Sequence, residues 1–205
     1  MDQETDRQSI LDTPMSPAVS MTADATIAII AEEGFDRVSV RSVAARLGVA
    51  PGPVQYRSPS RRTLLTDALV RSVQRQAGRV VSHEVAPAQP ETFVRALAEL
   101  LPTGAVQRED AAAWVAFGAA ASTRPWLADP YWEALQIMRT WVEGVLADAR
   151  KAGRMRADLS PAEGARLVTA LVNGLTLDLL NAPPTEPDEV IGQLRSGLGL
   201  ILRGL

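Results

Sequence analysis

The amino-acid sequence predicts an all-α protein of about nine helices, because apolar residues recur at helical spacing along most of the chain. Glycine and proline mark the ends of these segments, as at Gly34, Gly48 and Pro102. No segment shows the strict alternation of apolar and polar residues that is typical of a half-buried β-strand. We expect a small N-terminal domain of three helices followed by a larger helical domain.

The first elements are defined by local signals. Residues 1–17 are polar, acidic and contain proline, so we expect a disordered arm there. A first helix is predicted over 18–33, ending at Gly34. Ser39 can cap a second helix, which Gly48 ends. The apolar positions of this second helix share one face: Val40, Val43, Ala44 and Leu47.

The later helices are predicted in the same way. A short third helix begins near Pro51, and Ser60 caps a long fourth helix. Ser160 and Glu163 form a capping box that starts another helix, and the last helix begins near Pro187. Apolar stripes predict three helices in between: 93–101, 114–121 and 135–149. The predicted division of the chain is an arm, a first domain and a second domain: 1–17, 18–60 and 61–205.

Composition excludes several classes of function. The chain has no cysteine and a single histidine, His83, which argues against disulfides, cysteine metal sites and histidine-based zinc sites. We find no nucleophile–base pair, and we expect neither an enzyme nor a cofactor. No apolar run is long enough to span a membrane and no signal peptide is evident. We therefore expect a soluble, cytoplasmic protein with no membrane partner.

Charge is distributed unevenly. Residues 36–79 contain nine arginines and two acidic residues, a net charge of +7 in a chain whose total is −3. A basic patch on an acidic body is typical of a local nucleic-acid interface, although basic helix faces are also common as plain solvated surfaces.

The basic segment has the layout of a helix-turn-helix, in which the second helix enters the major groove of DNA. Gln55 is the predicted base-contacting residue, because its amide can form two hydrogen bonds with adenine. Tyr56 suits a phosphate or a base edge. Ser39 is at a helix N-terminus, where hydroxyl and backbone N–H groups can meet a phosphate. The remaining predicted DNA contacts are Arg41, Pro51, Arg57 and Arg61.

The sequence of the second domain predicts a ligand site. All four tryptophans lie between residues 114 and 141, and an aromatic, apolar cavity between helices is a usual small-molecule site. The alternative is that these tryptophans only fill the core. A cationic ligand, balanced by Glu133, Glu143 or Asp178, is a further possibility. The predicted ligand-binding residues are Trp114, Phe117, Met138, Trp141, Asn173 and Asp178.

The helix predicted over 162–180 is apolar nearly all round and must be covered on every side. One side can meet its own core and the other a second subunit, although a central helix in a monomer is an alternative. Together with the last helix it would form a two-fold, four-helix interface. The predicted dimer contacts are Leu171, Leu175, Leu179, Leu194, Leu198 and Ile201.

The stretch GVAPGPVQYRSPSRRTLL resembles the TetR family of transcriptional regulators, which commonly has GVSxGTLYxHFxSKExLL here. Arg61 stands where a lysine of that family usually contacts phosphate. Later segments, Leu100-Leu101-Pro102 and Val172-Asn173-Gly174-Leu175, resemble the choline-responsive BetI-type subgroup. The resemblance implies a dimeric repressor that leaves a pseudo-palindromic, double-stranded DNA operator when a small molecule binds. The positions that match the motif are Gly48, Val49, Gly52, Tyr56, Ser60, Leu64 and Leu65.

Three positions depart from that motif. Pro53 replaces a small hydroxyl residue, Gln55 replaces tyrosine, and Ser58 replaces a packing phenylalanine. If Ala50 caps the third helix, its two prolines fall where N–H groups have no partner within the helix, so they do not break it. The missing aromatic at residue 58 predicts looser packing. The alternative function is a helical interaction or ligand-binding protein that kept the fold and lost operator binding.

Overall fold

The computed structural model describes residues 10–183 and 185–205, and within them the all-α prediction is confirmed. A single 3-10 turn, Phe35–Arg37, separates the first two helices. The only extended pairing among the described residues is an isolated bridge between Met155 and Leu202. The described residues form nine α-helices: α1 Pro17–Glu33, α2 Val40–Leu47, α3 Pro51–Arg57, α4 Arg61–Val81, α5 Pro90–Ala98, α6 Ala105–Ala121, α7 Pro125–Lys151, α8 Pro161–Asn181 and α9 Pro187–Leu198.

Helix ends follow the local signals in the sequence. The Ser39 and Ser160 side chains both form capping boxes, and the Ser60 side chain accepts the N–H of Thr63. Gly48 ends α2 at φ 67°, a left-handed conformation that favours glycine. Ala50 caps α3, and the two prolines lie in its first turn without breaking it, as predicted.

Helix α7 begins about ten residues before the apolar stripe that predicted it. Pro125 occupies its first turn, where a missing N–H costs nothing. Pro130 lies inside the helix and removes one hydrogen bond, yet the helix continues. The early part of α7 is stabilised by burial, since Leu127 and Ala134 pack into the first of two hydrophobic cores.

These two cores organise the molecule. The first core contains side chains of the four helices α1, α2, α3 and α4, of α6 and of the start of α7. The second core joins α5, the later part of α7, α8 and α9. Helices α4 and α6 therefore pack in one unit with the N-terminal helices, and the division of the chain after residue 60 does not mark a gap in packing.

The prediction of a disordered arm is wrong for residues 10–16, here called the N-terminal segment. Ile10 is only 5% exposed and packs in the first core. The Gln74 side-chain N–H₂ group lies 3.2, 3.3 and 2.9 Å from the carbonyl oxygens of Ile10, Leu11 and Thr13. The Ile10 N–H also donates to Glu133 Oε1 over 3.1 Å. These contacts come from distant helices, which composition cannot reveal. Residues 1–9 of the predicted arm lie outside the described residues.

None of the helices in the described part of the chain is long and apolar enough to cross a membrane.

Candidate DNA-binding surface and ligand cavity

Helix α3 presents most of its surface to solvent. Val54 is fully buried and anchors the helix, and Ser58 is buried at its end. Gln55, Tyr56 and Arg57 are exposed, and Tyr56 is 91% exposed. Within the described residues, the side chains of Gln55 and Tyr56 form no hydrogen bond with the protein. An exposed helix of this kind is free to enter a groove of DNA.

The Ser39 hydroxyl is committed to the start of α2. It accepts the Ser42 N–H over 3.0 Å, and the Ser42 hydroxyl accepts the Ser39 N–H over 2.9 Å. A phosphate contact at this point would therefore fall mainly to the backbone of the first turn of α2.

Arg61, which the sequence predicts as a phosphate contact, forms several hydrogen bonds within the protein. Its guanidinium donates to the carbonyl oxygens of Val38 and Phe35 over 3.0 and 2.8 Å, and to Asp36 over 3.1 Å. It also lies over the Phe35 ring, 5.4 Å from the ring centroid. These bonds fix the 3-10 turn and the approach to α2 against the start of α4.

The basic segment is partly neutralised inside the protein. Arg46 forms two hydrogen bonds with Glu32, and Arg71 forms two with Asp24. Arg57 reaches only the Pro53 carbonyl of its own helix, over 3.4 Å. Three arginines of this segment are exposed, and their side chains make no hydrogen bond or ion pair with any other described residue: Arg37, Arg41 and Arg62. Of these, Arg62 lies over the Trp126 ring, 5.3 Å from its centroid. The cations left for DNA are fewer than the sequence count suggests.

A charge network joins α1, α4 and α6. Arg75 of α4 contacts Asp24 of α1 and Glu109 of α6, over 3.3 and 3.0 Å. Asp110 is 1% exposed and lies 2.8 Å from Arg79. Burial raises the pKa of Asp110, and the two arginines Arg75 and Arg79 oppose that rise. The network fixes α4 between its two neighbours.

A part-buried hydrogen bond lies at the position where the family motif has an aromatic residue. Ser58 is fully buried, and its hydroxyl donates to Asp67 Oδ2 over 3.1 Å. Burial raises the pKa of Asp67, and the Ser58 hydrogen bond works in the opposite direction. The end of α3 is thus tied to α4 by a polar contact.

A cavity of about 150 Å³ lies between α4, α6, α7 and α8. Its lining residues are Leu11, Val73, Gln76, Ala77, Val80, Val81, Leu100, Trp114, Ala134, Ile137, Met138, Trp141, Val172, Asn173 and Thr176. The structure places four of the six predicted ligand residues here, namely Trp114, Met138, Trp141 and Asn173. Leu11 was missed, although an Ile-Leu pair in an otherwise polar stretch is a signal that could have found it.

Two predicted ligand residues lie elsewhere. Phe117 is fully buried in the first core, and its ring meets the Phe35 ring edge-on with centroids 5.7 Å apart. Helical spacing placed it one turn from Trp114 but could not show that α6 turns this face towards the N-terminal helices. Asp178 is exposed on α8.

The cavity wall is built from two aromatic pairs and one side-chain hydrogen bond. Trp114 stacks on Tyr131 with centroids 4.5 Å apart, and Trp141 lies against Phe93 at 5.6 Å. The Trp114 Nε1–H donates to Asn173 Oδ1 over 3.0 Å. Burial raises the pKa of Tyr131, so this ring stays a neutral phenol. The wall is therefore largely apolar.

Gly118 allows Tyr131 to take that position. A Cβ atom at residue 118 would lie 2.7 Å from the Tyr131 hydroxyl oxygen, which is closer than Cβ atoms come to other heavy atoms in real proteins. The glycine thus lets α7 bring Tyr131 against α6 and behind Trp114.

The carboxylates considered for a cationic ligand do not face this cavity. Glu133 accepts the Ile10 N–H, and Glu143 and Asp178 are exposed. No charged side chain is among the lining residues that the structure describes. No group of acidic or histidine side chains in the described residues could hold a metal ion.

The predicted dimer contacts lie mostly inside the subunit. Leu179, Leu194, Leu198 and Ile201 are buried in the second core, and Leu171 and Leu175 pack partly against it. Gly197 of α9 lies so close to Leu171 that a Cβ would be 2.6 Å from that side chain. The apolar face that α8 leaves exposed consists instead of Leu167, Ala170, Gly174 and Leu177, called the α8 outer face below.

Helix α3 is exposed and packs on α2, as in a helix-turn-helix, and the later helices enclose a cavity. This combination defines a helix-turn-helix regulator with a second domain of the ligand-binding type. Family comparison agrees: residues 23–68 match the bacterial regulatory proteins of the TetR family, and residues 89–203 match the C-terminal domain of BetI-type transcriptional repressors. The chain belongs to the TetR family of transcriptional regulators, with a BetI-type C-terminal domain. This family is not enzymatic.

Solved structures show the same fold. A transcriptional regulator from Rhodococcus sp. Rha1 is 28% identical, with a TM-score of 0.79, and the match covers 91% of this chain and 98% of that one. A regulator from Saccharomonospora viridis, solved in complex with choline, is 26% identical with a TM-score of 0.80, covering 93% and 100%. A comparison with curated proteins gave no match.

Proposed function

We propose that this protein is a dimeric repressor that binds a pseudo-palindromic DNA operator and leaves it when a small molecule occupies the cavity. The observation that carries the proposal is that α4 and α6 both line the cavity and both pack in the first core against the helix-turn-helix. A ligand between these helices can therefore alter the position of the DNA-binding surface.

Helix α4 gives one route. Its later part lines the cavity through Val73, Val80 and Val81, and its first residue, Arg61, bonds the backbone before α2. A ligand that binds better to one position of α4 shifts the population towards that position, and the orientation of α2 and α3 shifts with it.

Helix α6 gives a second route. Trp114 lines the cavity, and Phe117 on the following turn contacts Phe35 in the 3-10 turn. A shift of Trp114 on ligand binding would move Phe117 against the same turn that Arg61 holds. The two routes converge on the residues before α2.

The dimer is supported by the α8 outer face. Leu167 and Leu177 are each 49% exposed, and Ala170 and Gly174 between them allow a second helix to approach closely. A two-fold contact here would place two α3 helices for half-sites about 34 Å apart, or a multiple of that distance.

The choline complex of the Saccharomonospora viridis relative supports a small-molecule site in this fold. Choline or a similar cation is one effector class that this likeness suggests. The cavity of this chain offers such a cation two tryptophans, Trp114 and Trp141, and no carboxylate.

The test is a gel-shift with the full chain and genomic fragments, beginning with DNA upstream of its own coding region. We expect a retarded band at low salt with two chains per operator, which is lost when a cavity ligand is added. Tyr56→Ala is the matched variant, which should fold normally and retard the DNA less, because the Tyr56 side chain is an exposed, predicted DNA contact. If folded dimer retards no fragment at low salt, the alternative of an interaction or ligand-binding protein without operator function is favoured.

A further inference from the structure

We infer that the cavity takes a neutral, largely apolar small molecule, about the size of one aromatic ring, that accepts a hydrogen bond from Asn173. This inference rests on the proposed ligand-responsive function and gives the effector a chemical class.

The lining supports a neutral ligand. Twelve of its fifteen residues are apolar, and the three polar ones are Gln76, Asn173 and Thr176. The Thr176 hydroxyl donates to the Val172 carbonyl over 2.7 Å, and the Gln76 side-chain N–H₂ donates to the Ser72 hydroxyl over 3.1 Å. The Thr176 donor is therefore used within the protein, and Gln76 keeps one of its two side-chain N–H donors.

Asn173 offers two side-chain donors that no described residue uses. The Trp114 Nε1–H can only donate, so the group that it meets must be the Asn173 amide oxygen. The amide nitrogen is left with its two N–H donors and has no partner among the described residues. A ligand hydroxyl, carbonyl or ether oxygen could accept one of them, and an ammonium nitrogen, which has no lone pair, could not.

The same lining disfavours a cation. One face of Trp114 is covered by Tyr131, and Trp141 leans on Phe93, so few aromatic faces remain for a cation. Cation–π contact at those faces offsets only part of the desolvation of a buried, unpaired charge. No lining residue that the structure describes supplies the balancing carboxylate.

Size alone does not separate the two classes. A cavity of about 150 Å³ is comparable to an apolar protein cavity that holds benzene. A neutral alcohol and a quaternary ammonium ion of the same shape would both fit, so the charge of the ligand is what the lining selects.

A pair of isosteres tests this directly. The full chain without DNA is titrated by calorimetry and tryptophan fluorescence with 3,3-dimethylbutan-1-ol and with its quaternary ammonium isostere, in which nitrogen replaces the branched carbon. We expect the neutral alcohol to bind at least about tenfold more tightly, because taking one unpaired charge out of water costs at least the free energy that corresponds to this ratio. Equal or tighter binding of the cation overturns the inference, and so does the failure of the alcohol to bind.

Asn173→Asp tests the hydrogen bond. The variant keeps one oxygen for the Trp114 N–H and replaces the amide nitrogen by a carboxylate oxygen, which attracts a cation and cannot donate. We expect the affinity for the alcohol itself to fall at least about tenfold, because its hydroxyl loses the Asn173 donor, and the preference over the cation to fall with it. The matched control is Asn181→Asp, the same change at an exposed position of α8 outside the cavity, which should leave the preference unaltered.

An unaltered preference in folded Asn173→Asp would overturn the assignment of Asn173. If that variant does not fold, the isostere pair on the natural chain still decides the charge of the ligand. Since these titrations contain no DNA, their failure would leave operator binding to be decided by the gel-shift.

Discussion

Nine arginines of residues 36–79 look alike in the sequence, and the structure gives them different roles. Arg41 is exposed, whereas Arg61 is bonded to the backbone of the 3-10 turn. Arg46 and Arg71 are paired with acids 14 and 47 positions away. A sequence motif shows that arginine is present, but the partner that occupies it comes from tertiary packing. The count of basic residues therefore indicates a basic surface, whereas the arginines that keep an unpaired charge are identified only by the packing.

The first prediction concerns these arginines. Arg41→Ala is expected to weaken binding to every DNA sequence, and to reduce the slope of log K against log salt by about 1, because one phosphate contact is lost. Arg61→Ala is expected instead to lower the thermal midpoint, since it frees the carbonyls of Val38 and Phe35. Fluorescence anisotropy between about 50 and 200 mM salt measures the slope. An unchanged slope for Arg41→Ala would remove it from the interface.

Gln55→Ala is expected to change which base is preferred at one operator position, by about 1–3 kcal/mol of discrimination. The side chain is exposed on α3, so the fold should be unaffected. Selection of binding sites from a random DNA pool compares the variant with the natural chain. Equal weakening on all sequences would show a phosphate-type contact instead.

Ser58→Ala is expected to destabilise the fold by about 1–3 kcal/mol at neutral pH, because the half-buried Asp67 carboxylate loses its donor. The hydroxyl lowers the pKa of Asp67, so this loss is present above that pKa and shrinks as pH falls and the carboxyl protonates. Burial has the opposite sign: by raising the pKa it makes ionised Asp67 cost stability as pH rises through it. Urea unfolding from neutral to acid pH measures both. In an Asp67→Asn background the effect of Ser58→Ala should not depend on pH.

At the scale of helices, the ends of helices could be predicted from neighbouring residues, but contacts between residues far apart in the chain could not. Ser39, Ser60 and Ser160 cap helices as predicted, because a cap involves only the next few residues. Leu11 contacts helices more than sixty residues away, and nothing near it in the chain shows this. The same limit explains Phe117, whose partner Phe35 belongs to the N-terminal helices.

Phe117→Leu is expected to leave ligand affinity nearly unchanged and to reduce the effect of ligand on DNA affinity. Phe117 does not line the cavity, but it connects α6 to the 3-10 turn. Titrations of ligand with and without DNA give the coupling free energy, which is typically about 1–3 kcal/mol. Phe35→Leu should have the same effect, and the double variant should lose no more than either alone, since both remove one contact. Full coupling in Phe117→Leu would assign the signal to α4.

On the scale of the whole molecule, the apolar character of α8 was visible in the sequence but its orientation was not. The helical spacing of apolar residues cannot show which side of an all-apolar helix packs against the core of its own subunit. Gly197 lets α9 approach Leu171, and that contact turns the outer face with Leu167 and Gly174 to solvent. Two subunits joined there would fix the spacing of their α3 helices, so ligand binding in each cavity could act on one shared distance.

The dimer prediction follows from that face. Leu167→Glu combined with Leu177→Glu places charges within the proposed two-fold contact, where like charges meet and lose water. Both side chains are 49% exposed in the single chain, so the variant should fold as a monomer. Light scattering with gel filtration measures the mass. Met21→Glu, at a 60% exposed position on α1, is the control and should remain a dimer. Since a monomer binds one half-site alone, the variant should lose operator affinity while keeping ligand affinity. A monomer with full operator affinity would show that dimerisation is not needed for DNA binding.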